Sequence, residues 1–289
     1  MSTMLVSIGL VATALVAQSE DLSDRVSREV YHLQSDDVVE RLEAARHLRQ
    51  LGDQAQAAIP ALIKALGDPE IEVQRAAAFA LTTMGPAAKD AVPALMKATK
   101  SDDLSLKTHA VVALGNIGPA AKPAIPNLVD ILKNAEKYTT RSEAAGALAR
   151  IGPAAIPALI KLVEDDKDVA VKETAVRALG QIGPPAQSVL PQVLEVAKVN
   201  DDPTLRRAIF VAFGQIGLDD KSRAIVIPML IDALSKDRVE ARYNAAYALG
   251  RMGAKAKQAI PALKATAKDD KDESVRKAAT RALQRMQGS

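Results

Sequence analysis

The side chains able to move a proton, hold a metal or attack a carbonyl are few and scattered along this chain of 289 residues. The histidines are His32, His47 and His109, without the His-Glu pairing of a di-iron or zinc site, and His47 and His109 read as solvated or repeat-edge residues. There is no cysteine, which excludes thiolate catalysis, disulfides and Cys-ligated zinc. Acids come in pairs, Asp36-Asp37, Asp102-Asp103, Asp165-Asp166, Asp201-Asp202 and Asp269-Asp270. Each precedes an apolar helical run, where a carboxylate caps open N–H groups and opposes the helix dipole; the spacing is not that of a calcium loop. No Gly-rich phosphate loop and no Ser nucleophile elbow occur. The expectation is a non-enzymatic protein with no cofactor and no metal. What remains is recognition chemistry, carried by arginines and tyrosines at four-residue spacing such as Arg207, Tyr243, Tyr247 and Arg251. Such residues combine contact area with directed hydrogen bonds.

The elements that must position them repeat. The phrase VKETAVRALGQIGPPAQSVLPQVL, from Val171 to Leu194, is an apolar helical stripe, a Gly-Pro break and a second stripe holding a proline. Its glycine recurs at Gly52, Gly85, Gly118, Gly152, Gly183, Gly217 and Gly253, with spacings of 33, 33, 34, 31, 34 and 36 residues. Periods of this size mean stacked repeats. In each unit the helix before the glycine (B) has apolar residues 12, 8, 5, 4 and 1 places before it, as in Leu106, Ala110, Ala113, Leu114 and Ile117. The glycines read as one per unit, each ending a helix through a positive-φ backbone.

The helix after the glycine (A) carries Pro60, Pro93, Pro126, Pro191 or Pro261 eight residues on, whereas Pro157 comes five and Pro228 eleven residues after its glycine. Three residues are close to one helical turn, so helix A is predicted to be a single helix kinked at its proline. One such hairpin buries too little to offset the entropy of ordering it, so each must cover its neighbours. The expected fold is all-α, a right-handed curved α-solenoid of about eight antiparallel helix pairs over residues 20–289. Its units end near residues 52, 85, 118, 152, 183, 217, 253 and 287.

Composition agrees with closely packed helices: 48% hydrophobic, 2% aromatic and 25% charged residues, at a net charge of +3. That weak basic bias is far below the density of a dedicated nucleic-acid binder. Residues 4–17, MLVSIGLVATALVA, form an apolar run too short to span a bilayer comfortably, but fitting a signal-peptide core. Ala12-Thr13-Ala14 and Ala17-Gln18-Ser19 suit cleavage, although no Lys or Arg precedes the run. Residues 1–19 are therefore expected to be a signal peptide, which would make the protein periplasmic or extracellular. The alternatives are a retained membrane anchor, or an N-terminal helix packed on the array of a cytoplasmic protein. No other membrane span is expected.

The phrases VQRAAAFALTTMG, LKTHAVVALGNIG, VKETAVRALGQIG, LRRAIFVAFGQIG and ARYNAAYALGRMG, each followed by the proline-bearing helix, resemble HEAT-like repeats, particularly the short phycobilisome-lyase type. The resemblance covers most of the chain. It implies that helix B lines the concave side, and that a basic residue early in helix B forms a ladder between repeats with an Asp of the turn. Here that position reads Arg41, Lys107, Arg141, Lys172, Arg206, Arg242 and Arg276, with Gln74 interrupting the series, so that rung is expected to be weaker.

On a concave B face, the positions 10, 6 and 2 before each glycine would be left for a partner. They hold nine basic residues against the single acid Glu173, and three aromatics, Phe79, Tyr243 and Tyr247. The expected function is a scaffold that holds a protein or peptide, in particular an acidic segment. Its contacts are Tyr243, Tyr247, Arg207, Arg251, Arg177, Arg150, Phe79, Gln181 and Gln215. Two alternatives stand beside it: a phycobilin lyase or pigment-protein chaperone, and a nucleic-acid-binding HEAT-like protein. The absence of Trp and the low net charge weigh against the latter.

Overall fold

The computed structural model describes residues 21–287 apart from Asp201 and Asp237, so the apolar segment 1–19 expected to be a signal or anchor lies outside the described residues. Among the described residues every regular element is helical, and the chain divides into two compact units, one up to Ala120 and one from Ala121 on. The first contains α1 (Leu22–His32), α2 (Val38–Leu51), α3 (Ile59–Ala65), α4 (Ile71–Thr82), α5 (Val92–Ala98) and α6 (Leu104–Ile117). The second contains α7 (Ile125–Asn134), α8 (Tyr138–Ile151), α9 (Ile156–Asp165), α10 (Val169–Ile182), α11 (Leu190–Val199), α12 (Pro203–Ile216), α13 (Asp220–Ala233), α14 (Val239–Met252), α15 (Ile260–Asp269) and α16 (Glu273–Gln287). Even-numbered helices from α2 onward are the B helices of the repeat. Among the described residues no single helix is long and apolar enough to cross a membrane.

The repeat glycines end the B helices as the sequence requires. Gly118 has φ 73° and ψ −136°, a region that side chains with a Cβ essentially do not enter. The acids cap B helices: the Asp37 carboxylate accepts from the Val39 N–H at 2.8 Å, Asp103 from Leu106 at 2.7 Å and Asp202 from Leu205 at 3.0 Å. Where the Asp165-Asp166 pair precedes α10, the cap is Asp168, which accepts from the Ala170 N–H at 2.8 Å.

Helix A differs from the predicted kinked helix. In most repeats it is a 3₁₀ segment followed by a separate α-helix, as in Gly52–Ala58 before α3 and Gly253–Ala259 before α15. The proline lies in the first turn of that α-helix, where its missing N–H leaves no bond unmade, and its ring would collide with the preceding turn were the α-helix continuous. The shortened repeat keeps phase by trimming its 3₁₀ piece to Pro153–Ala155; three residues are one turn of that helix. The lengthened repeat makes one continuous helix, α13, with Pro228 inside it and Asp219 capping its start.

The B helices bury the predicted stripe: Leu106, Ala110, Ala113, Leu114 and Ile117 are all at or below 2% exposure. Their buried surface is wider than the stripe, because within a unit a B helix packs against its A helix and against the next B helix, as α10 does against α9 and α12. In α10, Glu173, Thr174, Val176 and Gly180 are also buried. The glycines inside B helices explain how closely these approach. A Cβ on Gly250 of α14 would lie 2.8 Å from the Ala282 Cα of α16, and one on Gly180 of α10 would lie 3.1 Å from the Ala212 Cα of α12. The expectation of one helix-ending glycine per unit is thus incomplete, since Gly180, Gly214 and Gly250 are spacers between helices.

Candidate functional site

Three of the side chains two places before a repeat glycine lie against the preceding B helix. Asn116 Nδ2 donates to the Thr82 carbonyl at 2.8 Å. The side-chain oxygen of Gln215 occupies the space beside Gly180, 2.4 Å from where a Cβ would be, and Arg251 packs its Cβ against Gly214 at 3.0 Å from the corresponding point. Glycine spacers therefore fix the direction in which Gln215 and Arg251 leave the surface.

In the second unit, eight of the nine predicted contact residues lie on B helices: Arg150 on α8, Arg177 and Gln181 on α10, Arg207 and Gln215 on α12, and Tyr243, Tyr247 and Arg251 on α14. All eight are exposed, Tyr243 and Tyr247 at 37% each. Arg150 and Arg251 make no ion pair with a described residue. Arg177 and Arg207 do: Glu173 Oε1 lies 3.1 Å from Arg177 Nε and 3.7 Å from an Arg207 terminal nitrogen. The Glu173 side chain is only 10% exposed. It is thus a buried anchor that aims two guanidiniums outward, and each retains N–H donors for a further acceptor. The sequence placed Glu173 among exposed positions; burial by the neighbouring helices makes it a positioning residue.

Phe79, the ninth predicted contact, belongs to the first unit. Its ring stacks on His109 at 4.5 Å between centroids and 5° between planes, and the Arg49 guanidinium lies over it at 4.4 Å. Much of the ring is therefore already engaged, by a cation–π contact and by its stacked neighbour. His109 is no solvated repeat-edge residue, since its Nδ1 is buried without a hydrogen-bond partner. Burial, and secondarily the Arg49 charge, push its pKa below the ordinary histidine value.

The basic ladder is present in some repeats and re-routed in another. Arg41 and Asp68 form a two-bond pair at 2.8 and 3.0 Å, as do Arg242 and Asp270 at 2.7 and 3.0 Å. These arginines also donate to turn carbonyls, Arg41 to Ser35 at 2.9 Å and Arg242 to Lys236 at 3.0 Å. Arg141 reaches Asp168 at 3.3 Å. Lys172 donates to the Glu164 carbonyl, Arg206 to the Asn200 carbonyl and Arg276 to the Asp270 carbonyl; no acid partner is described for Lys107. Gln74 does not leave a weak rung: the next residue, Arg75, grips Asp103 through Nε at 2.9 Å and a terminal nitrogen at 2.5 Å. These bonds, with the Leu106 N–H, hold the Asp103 carboxyl down at a pKa of about 2.

HEAT repeats match the chain at residues 59–149, 125–214 and 190–284, and the phycobilisome-lyase HEAT-like repeat matches residues 40–68. The chain belongs to the HEAT-repeat family. No curated protein matches it in sequence. Among solved HEAT-like folds, Kap95p, seen with RanGDP, superposes with a TM-score of 0.67 at 14% identity, over 90% of this chain and 40% of its own. An engineered protein gives 0.54 at 26% identity, over 91% of this chain and 78% of its own. The CpcE–CpcF complex of phycocyanin lyase from Nostoc sp. gives 0.50 at 21% identity, over 56% of this chain and 98% of its own.

The B helices also hold polar residues that the row-by-row sequence reading missed. Asn244 and His109 both stand nine places before a repeat glycine, a row assigned to neither core nor surface. That row is mixed, with Glu43, Glu143 and Thr174 beside Ala76, Ala208 and Ala278, so nothing in the sequence singled the two out. Arg75 was legible, as an arginine adjacent to the one broken rung.

Proposed function

We propose that the protein is a non-enzymatic scaffold that holds an acidic protein segment on the B face of its second unit. The observation that carries this reading is a row of exposed cations on rigid helices beside two exposed tyrosines. Arg150 and Arg251 offer charge that no described residue pairs, Arg177 and Arg207 are aimed by Glu173, and Tyr243 and Tyr247 supply amphipathic area. The HEAT repeats of this chain, and a fold shared with Kap95p, which binds RanGDP, support a protein ligand. The test is fluorescence anisotropy with a labelled Glu-rich peptide. Arg150→Glu/Arg251→Glu should weaken binding by more than tenfold, while Lys161→Glu/Lys264→Glu on the A helices α9 and α15, an equal change in charge, should leave it within twofold. Equal weakening by both pairs would mean attraction to net charge alone.

A phycobilin lyase or pigment-protein chaperone is the second reading, favoured by the phycobilisome-lyase repeat at residues 40–68 and the fold shared with CpcE–CpcF. Incubation with a bilin and an apo-phycobiliprotein tests it, through the absorbance of an attached chromophore. Export belongs to the same proposal for the functional setting; N-terminal sequencing of the native protein should find residues 1–19 removed, and an intact Met1 on a soluble product would overturn it.

A further inference from the structure

We propose that the cleft between α12 and α14 is a subsite for one acidic side chain of a bound peptide together with the peptide unit beside it. This rests on the reading of the second unit as a binder of acidic segments, and says where the anchoring residue of that segment sits. The cleft has a volume of about 300 Å³, and its described lining includes Arg206, Arg207, Lys236 and Arg238 without any carboxylate. Phe210, 4% exposed, supplies an apolar wall. Arg207, Lys236 and Arg238 around a small concavity favour an anion, and partial exclusion of water strengthens their pull.

The second observation distinguishes a peptide from a simple ion. Asn244 lines the same cleft, is only 6% exposed, and its side-chain amide makes no hydrogen bond to a described residue. With no described protein partner, the amide is left to bond whatever enters the cleft. It presents one N–H₂ donor group and one carbonyl acceptor, which the C=O and N–H of a peptide unit satisfy together, whereas inorganic phosphate chiefly offers acceptors. The start of α14 adds to the attraction: Arg238 is its N-cap residue and no side chain caps its first turn. Lys236 and Arg207 are steadied from behind, by Asp232 at 2.7 Å and Glu173 at 3.7 Å, neither of which lines the cleft.

The test uses the full chain and a fluorescein-labelled dodecapeptide of alternating Glu and Ser, with the Gln-for-Glu peptide as control and inorganic phosphate as competitor. Asn244→Ala should weaken binding about tenfold and Arg238→Glu by more than tenfold, and the Asn244 side-chain amide resonances should shift on titration with the Glu peptide. Arg238 is exposed in a turn, so that variant stays readable even if Asn244→Ala disturbs the fold. If both variants bind within twofold of the native chain while Arg150→Glu/Arg251→Glu does not, the subsite is wrong and the binding face stands. If the native chain fails to prefer the Glu peptide over the Gln peptide, the binding face itself is wrong. Displacement by millimolar phosphate with the same loss in both variants would overturn the peptide assignment in favour of a phosphate site.

Discussion

Two glycines inside B helices should respond to the same substitution with opposite sign. Gly146 of α8 and Gly250 of α14 both stand mid-helix, where replacement by Ala favours the helix by about 1 kcal/mol through lower backbone entropy in the unfolded chain. At Gly146 nothing opposes that gain, since the new methyl would meet only the Arg150 guanidinium at 3.8 Å. At Gly250 it would lie 2.8 Å from the Ala282 Cα and 2.9 Å from its Cβ. The partner there is backbone, so α14 and α16 must part by about half an ångström to regain van der Waals separation. Overpacking of that kind costs about 1–3 kcal/mol, which outweighs the propensity gain and leaves Gly250→Ala destabilised by about 1 kcal/mol. Urea denaturation followed by circular dichroism should therefore separate the two variants by about 2 kcal/mol, Gly146→Ala above the native chain and Gly250→Ala below it. If Gly250→Ala stabilises as much as Gly146→Ala, the glycine is no spacer and the account of close B-helix packing fails.

Other consequences can be checked in the same preparations. Asp103 binds its proton less tightly folded than unfolded, so its pairing with Arg75 contributes stability above about pH 4 that is lost as the pH falls through about 2. Arg75→Gln should flatten that acid-side loss in pH-dependent thermal melts, and an unchanged profile would remove the rung. In Arg49→Gln, the His109 pKa, followed by NMR titration, should rise while staying below the ordinary value, because burial remains the larger cause. A pKa unmoved by the variant would show that the guanidinium over Phe79 has no hold on the histidine. Arg242→Leu strands Asp270, whose side chain is 6% exposed, and should cost about 3 kcal/mol in a denaturant melt. A loss below 0.5 kcal/mol, the order of an exposed ion pair, would contradict a structural ladder there.

The repeat and its apolar stripe were legible because a glycine that must take positive φ, and alanines or leucines at helical spacing, leave marks in one dimension. Leu106 through Ile117 are buried as their spacing demands. Helix A was misread because a proline eight residues beyond a glycine is compatible with a kinked helix and with a 3₁₀ piece followed by a fresh start. The choice is made by tertiary packing of alanines such as Ala55 and Ala58, which are fully buried. The candidate face was legible as a register, but its pairing was not. Glu173 looks exposed by position and becomes buried only when the neighbouring B helices close on it; Phe79 looks free until His109 and Arg49, from the two flanking repeats, cover it. Contacts between residues about thirty apart depend on how closely repeats approach, and that distance is set by spacers whose role a single sequence does not declare.

If a partner binds the B face of the second unit, the tyrosines provide an internal control. Tyr243 and Tyr247 lie on that face at 37% exposure, while Tyr31 at 75% and Tyr138 at 50% lie outside the proposed contact rows. Hydroxyl-radical footprinting with and without the Glu-Ser peptide should show oxidation of Tyr243 and Tyr247 falling several-fold and that of Tyr31 and Tyr138 unchanged. Protection of Tyr31 and Tyr138 instead, or of all four tyrosines alike, would contradict the account.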